Sequence, residues 1–416
     1  MPAESINDRL AAAGLPALPR QVWLEIDESA LAGNLAALRT LVGADVAINA
    51  VVKADAYGHG LAPVARVFES AGADRLCVAS LDEALVLRGA GVQQPILVLF
   101  SIPPNEVVRA ARENIEIVAA ERSSTLAALR HWSQARTSDT LNVHLEVETG
   151  LSRGGVKPGA VVDMAHQIID TPGTRLAGIW SHLATPDDQR VTQAQDDSYR
   201  RALSALREAG IAIPARHLSA TGGVFTEWAD KYEGIRPGLS LYGIVPSDLP
   251  LGAREGEIAP LLRPAMALKC RPLRIESLDA GTPVGYGGRW VTPRDSAIAT
   301  LPVGYGDGWS RSSFPGTYAL VRGQRVPLVG TVAMDALMAD VTDVPGLDLD
   351  DEFVLIGSQG AESITAEEVA RARNTIAWEV VTSMAYRLPR VYHAGPVLLG
   401  LRTLAGEVRG AVEAVA

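Results

Sequence analysis

Eight short apolar runs, at 46–52, 75–79, 96–99, 115–119, 141–147, 176–180, 215–218 and 234–236, alternate with segments of helical spacing. The clearest of those segments are 82–88, 105–112, 124–132, 161–169 and 193–209. Short runs that are mostly apolar suit strands covered on both faces, as in a parallel sheet. Eight such units in about 200 residues predict an α/β fold, a closed (β/α)8 TIM-type barrel rather than an open doubly wound sheet. The eighth run is the weakest as a pattern.

The texture changes on both sides of this region. Residues 1–20 read as a short helix and a proline-punctuated extension, and 22–27 alternate like a strand. Asp27 or Ser29 then caps a helix through Leu31, Leu35, Leu38 and Leu41. Past 246–264, rich in proline and glycine, short β-runs follow at 266–271, 297–302, 318–321, 326–329, 336–340 and 353–356. A helix starting at Thr365 and another around 377–386 interrupt them. The expected division is an extension over 1–20, a barrel over 21–255 and a mostly-β C-terminal domain over 256–416, with 21–27 able to pack on the latter.

Composition removes several function classes. The net charge of −10 argues against a nucleic-acid footprint. No apolar run spans a bilayer, and the first 20 residues lack the pattern of a secretory signal. With two cysteines, Cys77 and Cys270, a reduced, cytoplasmic protein is the simpler expectation, one disulfide staying open. No spacing suggests a metal site. The acidic groups at 187–188 and 348–351 adjoin turn residues and read as loop charge, and Trp23, Trp132 and Trp180 as core or domain-contact residues.

Against that background the first barrel run does something unusual: it ends on a lysine. Only four lysines occur among 38 basic residues, so Lys53 is not a routine charge. A lysine can form a Schiff base with an aldehyde, whereas an arginine cannot. Barrel active sites lie at the C-terminal ends of the strands. Those positions carry Lys53 and Tyr57 after the first run, Glu148 to Gly155 after the fifth, Ser181-His182 after the sixth, Thr221-Gly222-Gly223 after the seventh and Arg236-Pro237-Gly238-Leu239 at the eighth. Small residues after strands seven and eight suit a phosphate. A lysine and a phosphate site together predict pyridoxal 5'-phosphate, with Arg236 as candidate partner of its ring nitrogen.

Five motifs in this order resemble the alanine racemase family, the fold-type III pyridoxal-phosphate enzymes: Val52-Lys53-Ala54-Asp55-Ala56-Tyr57-Gly58-His59-Gly60, Arg236-Pro237-Gly238, Gly285-Tyr286-Gly287, Gly304-Tyr305-Gly306-Asp307-Gly308 and Met334-Asp335. The resemblance covers residues 23–392. It implies two-base racemisation of L- and D-alanine by a cytoplasmic homodimer, supplying D-alanine for peptidoglycan. Lys53 is then the cofactor lysine and one base, and Tyr286, from the other subunit, the second base. Arg236 faces the ring nitrogen, His217 supports Arg236, and His182 packs on the cofactor. Arg153 contacts the cofactor's phenolic oxygen and the substrate carboxylate. Tyr57, Thr221, Gly238 and Leu239 hold the phosphate. Met334 binds the substrate carboxylate across the interface, with Tyr305 and Asp335 on the same rim.

Departures from the family pattern stand at Glu146, where a carbamylated lysine is common, and at Ala220, Thr221, Ala333 and Trp378. Glu146 is expected to brace Arg153 with a permanent carboxylate. Trp378, in a position usually held by tyrosine, offers an N–H donor toward the phosphate but no acceptor. These changes keep a serine or broad-specificity racemase open. A non-catalytic cofactor-binding protein of this barrel usually lacks the β-domain. A basic amino-acid decarboxylase would favour glutamate where Arg236 stands.

Overall fold

The computed structural model describes residues 5–135, 137–229 and 231–410, so the ends of the expected first and last segments lie outside the described residues. The chain forms two compact units. One comprises Leu31–Ala56 and Leu61–Arg263; the other holds residues up to Ala30, Tyr57–Gly60 and the chain from Pro264 onward. The first of these units runs through to Arg263 and includes the segment Ala253–Ile258 and its 3-10 extension Ala259–Leu261.

The first strand, β1 (Val22–Asp27), lies outside the barrel. The barrel strands are β2 (Ala47–Val51), β3 (Arg75–Val78), β4 (Ile96–Val98), β5 (Ile115–Ala119), β6 (Leu141–Glu146), β7 (Thr174–Trp180), β8 (Ala215–Ala220) and β9 (Gly234–Arg236). They pair in sequence order, and β9 closes on β2 through Ala47↔Gly234 and Ile48↔Ile235. The barrel expected from the apolar runs is therefore present, including its three-residue eighth strand.

Helices Leu81–Gly89, Val107–Arg112, Arg122–Gln134, Val161–Ile169 and Gln189–Glu208 alternate with the strands. Their starts follow local chemistry. Glu121 accepts the Ser123 and Ser124 amides, and Asp188 accepts those of Arg190 and Val191. Asp188 in the 187–188 pair is thus a helix cap.

The barrel lumen departs from the branched-aliphatic filling usual in this fold. Arg75 on β3 donates to Glu116 on β5 at 2.7 Å, and His144 on β6 meets His217 on β8 at 3.3 Å. Each contact skips a strand and so crosses the interior. Asn49 on β2 accepts from Arg75 at 2.8 Å and donates to the Ile235 carbonyl at 2.9 Å. A polar layer therefore lies below the functional rim.

In the second unit, strands β10 (Met266–Cys270), β11 (Arg274–Leu278), β12 (Pro283–Val284), β13 (Trp290–Val291), β14 (Ser296–Leu301), β15 (Tyr318–Val321), β16 (Gln324–Val329), β17 (Leu337–Asp340), β18 (Phe353–Gln359), β19 (Glu362–Ile364), β20 (Arg390–Ala394), β21 (Val397–Thr403) and β22 (Gly406–Arg409) follow. Twelve strands form one sheet in the order β11-β14-β17-β16-β15-β18-β10-β1-β20-β21-β22, with β19 on β18. β1 lies inside this sheet, antiparallel to β10 and parallel to β20.

The N-terminal helix Ile6–Ala12 buries Ile6 and Leu10 in one core with Trp23, Val391, Leu398 and Leu401. Asp27, not Ser29, caps the next helix: it accepts the Ala30 amide at 3.0 Å, and the Ser29 hydroxyl donates to it. Thr365 accepts the Glu368 amide at the start of helix Ala366–Arg373. Cys77 and Cys270 are buried free thiols. Among the described residues no helix is long and apolar enough to cross a membrane.

Candidate active site

Lys53 follows the buried end of β2, and the chain then turns left-handed. Ala54, Asp55 and Ala56 have φ of 56°, 54° and 53°. Each non-glycine residue in this region costs roughly 1–2 kcal/mol, so the turn must be held by its neighbours. Glu83 accepts the Ala54 amide at 2.7 Å through one oxygen and the Ala79 amide at 2.8 Å through the other. Asp55 accepts the Leu61 amide at 2.8 Å. Burial pushes the Lys53 ammonium below its ordinary pKa, helped by the charges of Arg153 and Arg236 and opposed by Glu83.

Arg236 ends β9, the strand beside β2, and is buried. One terminal nitrogen donates to His217 Nδ1 at 2.5 Å and to the His217 carbonyl at 2.9 Å. The other donates to the Ser181 and Leu218 carbonyls at 2.6 and 3.0 Å and lies 3.3 Å from His182 Nδ1. Among the described residues no acceptor takes its Nε–H. The guanidinium sits 4.5 Å from the Trp180 ring centroid, so that core tryptophan also floors the site. Burial lowers Arg236 to about 10, which leaves it charged at neutral pH. Burial and then the Arg236 charge hold His182 and His217 neutral, well below ordinary histidine values.

The loop after β6 presents Arg153. Glu148 accepts the Gly150 and Ser152 amides, and Gly155 donates to the Ala120 carbonyl at 2.7 Å. Gly155 has φ +104°, and a Cβ there would lie 2.6 Å from the Glu148 nitrogen, so glycine is required. The exposed Arg153 guanidinium lies over the Phe100 ring at 5.5 Å. Glu146 is buried at the end of β6, and burial raises its carboxyl to about 7 against the charges of Arg153 and Arg236. Among the described residues no hydrogen bond or ion pair joins Glu146 to Arg153; they are coupled through space.

Thr221 forms a polar cradle. Its hydroxyl accepts the Gly238 and Ser240 amides at 3.1 and 3.3 Å and lies 3.1 Å from the Ser240 hydroxyl. Leu239, between Gly238 and Ser240 in sequence, is buried. A Cβ on Gly222 would come within 2.4 Å of Pro186, so the cradle leaves no room there for a side chain. Gln195, absent from the sequence-derived set, ties two rim loops together. It accepts the Ala184 amide at 2.8 Å and donates to the His182 carbonyl at 3.1 Å and Thr149 Oγ1 at 3.2 Å.

The remaining candidates belong to the second unit. A Cβ on Gly304 would strike the Met334 carbonyl at 2.3 Å, while Tyr305 and Gly306 donate to the Ala333 and Met334 carbonyls. Buried Asp307 accepts from Gly304 N–H, Arg20 and Arg387, and Arg387 also holds Asp335 at 2.7 Å. Tyr305, Met334 and Asp335 are thus brought together on one clamped turn. Tyr286 is 71% exposed and joins that region through the Gly285↔Thr331 bridge. Trp378 is half-buried near the start of helix Ala377–Thr382, and Tyr57 is buried.

Two family models match the chain: "Alanine racemase, N-terminal domain" over residues 26–246 and "Alanine racemase, C-terminal domain" over 265–392. An alanine racemase of Desulfosudis oleivorans is 38% identical over 386 residues, which cover 90% of this chain and 97% of the relative. A crystal structure of alanine racemase from Bacillus anthracis, with bound L-Ala-P, matches at a TM-score of 0.85 and 32% identity, covering 93% of this chain and 99% of that one. A histidine racemase from Leuconostoc mesenteroides matches at a TM-score of 0.80 and 31% identity, covering 91% and 99%.

Proposed function

This chain belongs to the alanine racemase family, and from that premise we propose that it is an amino-acid racemase, an isomerase, that interconverts L- and D-alanine with pyridoxal 5'-phosphate. The observation that carries the proposal is the barrel rim, where Lys53, Arg236 and the Thr221 cradle occupy neighbouring strand ends. The residues suit the cofactor. The Thr221 hydroxyl, held by the Gly238 and Ser240 amides, can donate its own hydrogen to a phosphate oxygen, and the Arg236 Nε–H is left for a ring nitrogen. Lys53 would hold its aldehyde carbon, and Tyr57, Leu239 and Trp378 complete the proposed phosphate surroundings.

When bound, this cofactor acidifies the substrate Cα–H by accepting its electron pair. The chain's own residues do the rest. Lys53, whose half-buried amine loses its proton more readily than an exposed lysine's, takes or returns the Cα proton on one face. Tyr286 Oη does so on the other. Arg153 binds the substrate carboxylate together with the Met334 amide, and buried Glu146 offsets the local positive charge only where it is ionised, above about pH 7, rather than as a permanent carboxylate. Arg236 cannot readily surrender a proton, so it donates to the ring nitrogen instead of protonating it. His182 would lie against the ring of the bound cofactor, His217 holds Arg236, and Tyr305 and Asp335 would shape the entrance.

We place Tyr286 and Met334 in the partner subunit's site. Both side chains are exposed on the β-rich unit, at 71% and 53%. The homodimer follows from that placement, whereas a cytoplasmic role supplying D-alanine for peptidoglycan rests on membership of the family alone. The histidine racemase among the structural neighbours supports a second reading in which Ala333 and Trp378 admit serine or a broader set of side chains. Incubating the cofactor-loaded enzyme separately with L-alanine, L-serine and L-histidine, followed by chiral chromatography, distinguishes them. Alanine should be racemised fastest; turnover of serine or histidine with inert alanine would move the substrate assignment.

A further inference from the structure

Arginine only donates hydrogen bonds, and an ionised carboxylate only accepts them. Two histidines lie in line between such a pair inside the barrel. Arg236 meets His217 Nδ1 at 2.5 Å, His217 Nε2 lies 3.3 Å from His144 Nδ1, and His144 Nε2 lies 3.0 Å from Glu116 Oε2. Arg75 closes the far end on the same carboxylate oxygen at 2.7 Å. All five side chains belong to the barrel unit, and both histidine rings are buried.

One proton arrangement satisfies every contact. Arg236 donates to His217 Nδ1, His217 Nε2–H to His144 Nδ1, and His144 Nε2–H to Glu116. A proton on His217 Nδ1 would set two donors against each other at 2.5 Å. A second proton on His144 would do the same between the two rings. Burial lowers both histidine pKa values, in accord with neutral rings, and His144 and Arg75 hold Glu116 ionised against the effect of burial. The backbone also makes room for the line: a Cβ on Gly178 would lie 2.2 Å from His144 Nδ1, where the β6–β7 register shifts.

We propose that His144 and Glu116 are positioning residues for Arg236: the carboxylate fixes the tautomer of both rings, and His217 thereby offers Arg236 a permanent acceptor that locks its guanidinium plane. Hydrogen bonds in such a line polarise one another, so a charge at the far end strengthens the contact at Arg236. The catalytic consequence rests on the racemase reading, whereas the proton arrangement does not.

Nitrogen-15 NMR of histidine-labelled full-length protein, with and without cofactor, tests the arrangement directly. Signals of His144 and His217, assigned by substituting the other histidines, should report Nε2–H tautomers throughout about pH 6 to 9. An Nδ1–H tautomer or a charged ring at either residue overturns the proposal. Glu116→Gln keeps an acceptor and removes the charge. It should lower kcat about tenfold, leave KM within about twofold and move the His217 nitrogen shifts. Unchanged kcat and unchanged His217 shifts in a folded variant also overturn it. A wild-type protein with the predicted tautomers but no racemase activity would remove the racemase reading and leave the line intact.

Discussion

Glu83 receives the Ala54 amide at 2.7 Å, at the first residue of the left-handed turn that begins beside Lys53. Its other oxygen ties the same carboxylate to the Ala79 amide, so one side chain joins the ends of β2 and β3. Glu83→Gln can accept only one of these amides. The expected loss is about 1–3 kcal/mol of stability. Removing the negative charge should also lower the Lys53 pKa further, because Glu83 opposes its depression. The pH dependence of amine labelling at Lys53 in the cofactor-free variant should shift to lower pH; an unshifted profile would deny the electrostatic role.

Glu146 should make stability depend on pH in an unusual direction. Its folded-state pKa is about 7 against an ordinary 4.5, so the native state holds this proton more tightly than the unfolded chain. The native state is therefore favoured below about pH 4.5, and that advantage is lost as pH rises to about 7. Glu146→Gln, neutral throughout, should be more stable than wild type at pH 8 by on the order of 1–3 kcal/mol and nearly equal to it below pH 5. Thermal unfolding of both cofactor-free proteins at the two pH values reads this. An equal difference at both would mean that the carboxylate is ionised in the native state across the range.

Gly178→Ala should cost about 2 kcal/mol or more, because its Cβ would enter the His144 ring. Gly159→Ala is the control, since nothing lies within 4 Å of a Cβ there. Denaturant midpoints compare them, and equal midpoints would contradict the packing.

The barrel was legible because its strands are short and mostly apolar, which leaves runs such as 96–99 standing out from the helices around them. Lys53 and Arg236 were legible as charges at the ends of such runs. The polar lumen was not. Glu116 and His144 sit within apolar strands, and their partners lie two strands away across the interior, a relationship no local spacing carries. Glu83 looked like an ordinary acid in the first turn of a helix. Strands β20 to β22 were missed because 390–409 mixes arginines, glycines and apolar residues without clean alternation. The clamp on Asp307 was equally hidden, since Arg20 and Arg387 reach it from opposite ends of the chain.

The proposed sharing of active sites across a dimer predicts complementation. Lys53→Ala and Tyr286→Phe homodimers should each be nearly inactive. Mixed and allowed to exchange subunits, they should recover about a quarter of wild-type activity, since half the dimers are mixed and each then holds one intact site. No recovery, with mixed dimers demonstrated by mass, would place both residues in one chain's site.

The central claim, proton removal and return at opposite faces of the substrate Cα, is tested most directly in deuterated water. L-alanine incubated with the cofactor-loaded enzyme should yield D-alanine carrying deuterium at Cα, while Tyr286→Phe should exchange one enantiomer's proton far more slowly than the other's. Deuterated L-alanine without D-alanine from the wild-type enzyme would contradict the account, because it would leave only one face served by a base.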